Sequence, residues 1–188
     1  MRMLLLAACL LLGACAQESA DPADVFLERI AVHCGKAYEG RLVSDDEVDA
    51  DFASEKIVMH VRECADGEIR IPFHVGDNHS RTWVLTRTKD GLRLKHDHRH
   101  SDGEEDAVTQ YGGDSSTITE TRAEFPVDQY SIDLFNREGL TASVTNVWAV
   151  EITDAIYAYE LSRENRFFRV EFDLTAPAPE PPVPWGAE

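Results

Sequence analysis

Apolar positions recur every second residue over most of this chain, the period of a strand with one face buried. Ten segments carry that alternation: residues 37–43, 56–64, 68–75, 81–88, 92–100, 107–111, 117–125, 143–152, 156–161 and 167–174. Two stretches have helical spacing instead. In the first, Asp21-Pro22 supplies an N-cap carboxylate and a proline for the opening turn, Phe26, Ile30 and His33 share a face, and Gly35 stops the helix. In the second, Pro126 opens the helix, Tyr130, Leu134 and Phe135 share a face, and Gly139 ends it. The acidic run at 45–51 reads as a solvated loop. Residues 175–188 hold Pro177, Pro179, Pro181, Pro182 and Pro184 before Trp185, which predicts an extended, flexible tail off the sheet. Trp185 is either a clip that docks this tail or an exposed end.

Turn chemistry sets the expected pairing. Asp90-Gly91 is a favoured pair for a two-residue hairpin, and that register places Leu85 opposite His96, Trp83 opposite His98 and Arg87 opposite Leu94. Around Asp66-Gly67 a two-residue loop would pair Met59 with His74 and mix the faces. A three-residue loop, Ala65-Asp66-Gly67, pairs Met59 with Phe73 and Val61 with Ile71 and is preferred. Across a turn at 163–165, Tyr157, Tyr159 and Leu161 can face Phe168, Val170 and Phe172.

So many half-apolar strands joined by tight hairpins predict an all-β fold with two short helices, an antiparallel up-and-down β-barrel closed to remove its edges. In size and element order this resembles the lipocalin or calycin layout. Lys36-Ala37-Tyr38-Glu39-Gly40 falls where lipocalins carry Gly-x-Trp, with Tyr38 in place of the tryptophan. The domain boundaries expected are 1–14 signal peptide, 15–21 tether, 22–174 barrel and 175–188 tail.

The chemistry concentrates in Gly91-Leu92-Arg93-Leu94-Lys95-His96-Asp97-His98-Arg99-His100. One face of that strand carries Leu92, Leu94, His96, His98 and, at its end, His100, so a core stripe turns into imidazole. The other face, Arg93, Lys95, Asp97 and Arg99, is solvated. Trp83 and Arg87 on the neighbouring strand share the inward face, giving Trp83, Arg87, His96 and His98 as candidate walls for a small, partly apolar ligand. Ordinary packing explains Trp83 and hydrogen-bonded barrel-mouth histidines explain His96 and His98 equally simply.

Gly91, His96-x-His98, Glu105 and Gly112 resemble the first cupin metal motif, which implies a divalent metal on His96, His98 and Glu105 and a metal-dependent enzyme. The spacings differ, with four residues between Gly91 and His96 and six between His98 and Glu105, and no second cupin motif follows. Asp102, Glu104, Glu105 and Asp106 read first as a solvated turn. Glu120, Arg122 and Glu124 alternate as an exposed face, while Asn146 sits among apolar neighbours as a buried polar residue. No nucleophile elbow, zinc-protease helix, phosphate loop or dinucleotide fingerprint occurs, so no catalytic residue is assigned.

The first residues set an address. Arg2, an apolar run from Met3 to Leu12 and then Leu12-Gly13-Ala14-Cys15 resemble the signal and lipobox of bacterial lipoproteins. The resemblance implies cleavage before Cys15, lipidation of its sulfur and, with Ala16 next, an outer-membrane destination where the cell has one. The full chain carries a formal charge of −17; losing residues 1–14 removes one Arg and no acid, leaving 17 basic against 35 acidic residues, or −18. Nucleic acid and anionic lipid surfaces are therefore poor partners. Of four cysteines, Cys34 and Cys64 are left to bridge in an oxidising compartment. Three readings stay open: a ligand-binding envelope lipoprotein, the metal-dependent enzyme, and a structural or partner-binding envelope protein with a filled interior.

Overall fold

A computed structural model describes residues 20–187, apart from the side chain of Asp51. The signal-like segment and Cys15 lie outside the described residues. The described residues form twelve strands in one antiparallel sheet: β1 (Ala37–Leu42), β2 (Ile57–His60), β3 (Glu63–Ala65), β4 (Glu68–Val75), β5 (Asn78–Thr88), β6 (Gly91–His98), β7 (Tyr111–Asp114), β8 (Thr117–Ile118), β9 (Arg122–Pro126), β10 (Val147–Ile152), β11 (Ile156–Arg163) and β12 (Arg166–Ala178). Three short helices accompany them, α1 (Pro22–Ala31), α2 (Ala50–Ser54) and α3 (Gln129–Arg137). The expectation of an all-β up-and-down barrel is met, with one more helix than expected.

Neighbours run β7-β6-β5-β4-β2-β1-β12-β11-β10-β9-β8, with β3 beside β4. The two ends of that path are joined by the chain itself. Only Ser115 and Ser116 separate β7 from β8; Ser115 N–H donates to Leu92 O (2.8 Å) and Ser116 N–H to Glu124 O (2.9 Å). Asp128 N–H adds a bond to Gly112 O at 2.9 Å. Glycine is required at this seam: a Cβ on Gly113 would lie 1.8 Å from Pro126 O, and one on Gly112 1.9 Å from Leu94 O.

The two barrel ends differ. At one, α1 packs Phe26 and Ile30 into the core, capped by Asp21 and led by Pro22 as expected. A Cys34–Cys64 disulfide ties the turn after α1 to β3. At the other, the segment between β1 and β2 folds over the opening. Residues 45–51 are thus not simply a solvated loop. They form a 3₁₀ turn, Glu47–Asp49, and the start of α2, and buried Asp49 accepts two 2.6 Å bonds from Arg166. An acidic run folds inward here because a cation waits for it.

Several expected pairings need correction. Trp83 lies opposite His96, Arg81 opposite His98 and Arg87 opposite Leu92, because the hairpin turns at Lys89-Asp90 rather than Asp90-Gly91. The two-residue slip leaves every side chain on its expected face. Met59 does pair with Phe73, but through a two-residue Asp66-Gly67 turn (Ala65 opposite Glu68) and a one-residue irregularity at Val61-Arg62. The β11–β12 pairing is as expected, Tyr157 with Phe172, Tyr159 with Val170 and Leu161 with Phe168.

Residues 107–110 are not strand, 143–145 belong to a 3₁₀ turn, and α3 begins after an Asp128 cap rather than at Pro126, leaving Tyr130 exposed. The tail does not leave the sheet at 175: β12 continues to Ala178, with Pro177 opposite Tyr38. Here β11 has already ended, so proline sits where no donor is needed. Farther on, Trp185 N–H donates to His79 O at 3.0 Å, so Trp185 acts as a clip.

Candidate functional site: the barrel end opposite α1

The inward stripe of β5 and β6 builds this site from the bottom up. Leu85, Leu92 and Leu94 are fully buried in the core beside α1, and the stripe then changes to Trp83 and His96, each 2% exposed, and finally to Arg81 and His98. Trp83 stacks between Phe73 (centroids 4.6 Å) and Tyr159 (4.3 Å), which fills the barrel axis at mid-height. Above that layer a cavity of about 150 Å³ remains. Phe52, Phe73, Trp83 and Phe168 give it apolar walls; Arg81, His98, Tyr111 and the Asp49–Arg166 pair give it polar ones.

Hydrogen bonding fixes the state of His96. Its Nδ1 lies 3.1 Å from Tyr111 O, a pure acceptor, so Nδ1 carries the proton. Nε2 then accepts from the Tyr159 hydroxyl at 2.7 Å. Burial, with smaller effects from His98 and Lys95 and against the opposing hydrogen bond to the Tyr111 carbonyl, pulls the pKa of His96 down to about 3, so the ring is neutral. Burial and then the Arg81 charge pull His98 to about 4, opposed by Asp106 and Asp97. His98 Nε2 lies 3.1 Å from the Tyr111 hydroxyl. Burial holds the Tyr111 and Tyr159 phenols above their ordinary range.

Of the residues expected to line a site, Trp83, His96 and His98 come together. Arg87 does not join them. It keeps the inward parity but sits at the α1 end, where Nη2 donates to Asp21 and Nε to Asp24, both at 2.6 Å. His100 is exposed, 3.9 Å from Asp106. The metal set is not assembled either. Both His96 nitrogens are engaged, and Glu105 accepts from Arg99 (3.3 Å) and Gln110 (3.2 Å). No group of three or more His, Cys, Asp or Glu among the described residues is arranged to hold a metal.

Outside the barrel, Arg93 is exposed as expected while it pairs with Asp114, whereas Lys95, Asp97 and Arg99 are less solvated than expected, Lys95 paired with Asp128 and Asp97 with Arg70 and Arg99. Arg122 and Glu124 also join a network, with Glu151, Glu160 and Arg169, while Glu120 is exposed. Asn146 is buried as expected and accepts from Arg163 at 3.1 Å.

Sequence reasoning missed Arg81, Tyr111 and Tyr159. The signal for Arg81 was present: Arg81, Trp83, Leu85 and Arg87 share one parity, so arginine stands at both ends of the inward stripe. The misplaced turn drew attention to the wrong one. Comparison with protein-family models, with curated proteins and with solved structures finds no match for this chain.

Proposed function

We propose that this protein is a lipid-anchored envelope protein whose barrel holds a small, partly apolar ligand at the end opposite α1. The observation that carries the reading is the cavity itself: aromatic walls with a few convergent polar groups, in an interior otherwise filled by side chains. Its volume limits the occupant. Ordinary small-molecule pockets begin at roughly 300 Å³, twice what is open here, so with α2 in place only a molecule of about one ring fits. The lipobox-like Leu12-Gly13-Ala14-Cys15 supports the anchor and, with Ala16, an outer-membrane address.

A second reading has its own support. The same filling of the barrel by Trp83, Phe73 and Tyr159 suits a structural or partner-binding envelope protein with no ligand. Native mass spectrometry of the mature protein, extracted from its own envelope, separates the two. The ligand reading expects a small non-covalent mass of single-ring size and an acylated Cys15. Protein that is uniformly ligand-free favours the structural reading, and an unmodified Cys15 removes the anchor.

A further inference from the structure

Among the described residues of the cavity wall, Arg81 is the one with a shielded polar atom left unpartnered. Its Nη1 is shielded from solvent and has no hydrogen-bond partner, and among the described residues no carboxylate lies within ion-pair distance of it. Its guanidinium carbon lies over the Phe52 ring, 5.7 Å from the ring centre. Three other sheltered arginines are treated differently. Arg166 has Asp46 and Asp49, Arg169 has Glu151, Glu160 and Glu171, and Arg70 has Asp97. Asp49 also borders the cavity, yet both its oxygens are held by Arg166.

A guanidinium held partly out of water without a counter-charge is costly, and fold stability alone gives no reason to keep one. We infer that the counter-charge is the ligand's, and that the ligand is a one-ring monocarboxylate. The inference rests on the ligand-binding reading above and deepens it.

The rest of the wall agrees with that chemistry. A planar fork of donors suits a carboxylate held by two parallel bonds. The Tyr111 hydroxyl and His98 stand beside Arg81 and offer further hydrogen bonds, while Phe73, Trp83 and Phe168 form the apolar remainder. A cavity near 150 Å³ is the size that accepts benzene in other proteins. Phosphate or sulfate would fill the polar corner and leave the aromatic walls unused. A long-chain fatty acid exceeds the space.

The test is a titration of the mature full-length protein with benzoate, benzamide and acetate, followed by NMR of the His98 ring and the Trp83 indole. Benzoate is expected to bind at least about ten-fold more tightly than either benzamide or acetate. That preference should disappear in Arg81→Gln and in Arg81→Met, the second chosen because it keeps the apolar stem. Neutralising Arg81 with bound benzoate should also raise the pKa of His98. Around that ring the charged and titratable groups are Arg81, His96, Asp97, Asp106 and Tyr111, and Arg81 is the one whose charge the bound carboxylate offsets. Equal binding of benzamide and benzoate overturns the carboxylate inference while leaving the apolar-ligand reading intact. Unchanged benzoate binding in both variants does the same. Absence of binding by all three probes overturns the inference, and NMR mapping of uncharged single-ring fragments decides the broader reading separately.

Discussion

His96, His98 and His74 are stored as neutral rings, and that storage has a consequence for stability. Burial is the first cause of the lowered pKa in all three, to about 3, about 4 and about 4. An unfolded histidine titrates near 6.5. Below that pH the unfolded chain takes up protons that the folded chain refuses, so stability is fully present above about 6.5 and declines as pH falls towards the folded values. Around pH 5 about three protons should be taken up on unfolding from these residues, a slope of roughly 4 kcal/mol per pH unit. His33 and His60, shifted in the same direction, add to it. Urea denaturation at pH 7, 6 and 5 checks this; a stability that is flat across that range contradicts buried neutral imidazoles. At this scale the sequence was partly legible. Parity alone placed His96 and His98 inward, whereas the partners that set their state, Tyr111 and Tyr159, are 15 and 63 residues from His96 and could not be found by local spacing.

Hairpins and the seam show what elements need beyond pattern. Asp90-Gly91 looked like a turn pair, but Gly91 is a strand residue with φ 151°, and a Cβ there would meet Ser115 Oγ at 2.7 Å. The glycine serves close approach by the chain that crosses the seam, not the turn. Composition cannot distinguish these uses of glycine; the fold does. The same logic yields a prediction at Gly113, whose backbone is pressed against Pro126 O. Gly113→Ala forces backbone to move, since carbonyl oxygen rather than a flexible side chain is in the way. It is expected to destabilise by roughly 1–3 kcal/mol or more, read by thermal or urea unfolding. A variant as stable as the parent would mean that β7 and β9 do not meet as described. Acidic residues 45–51 teach a related lesson, because Arg166, the group that draws Asp49 inward, arrives from the far end of the chain.

For the whole molecule, alternating apolar positions and short turns were enough to reach an antiparallel barrel, because a two-residue period leaves few ways to bury one face of so many strands. The slip in the β5–β6 register did not change the fold, since an even slip preserves the faces. It did exchange Arg81 for Arg87 as the arginine of the site. Arg87 is held by Asp21 and Asp24 and braces α1 against one end of the barrel. Arg81 stands at the other end without a carboxylate partner, and that asymmetry separates the packed end from the one that keeps a cavity.

The claim that the end opposite α1 is a binding site is tested most directly by mapping a library of water-soluble single-ring fragments onto the protein by NMR. The account predicts hits that shift the Trp83 indole, the His98 ring and the Leu161 methyls together, the groups that share the cavity wall. Fragments that bind nowhere, or only to the outer face of the sheet, would contradict it and leave a barrel whose interior serves its own packing.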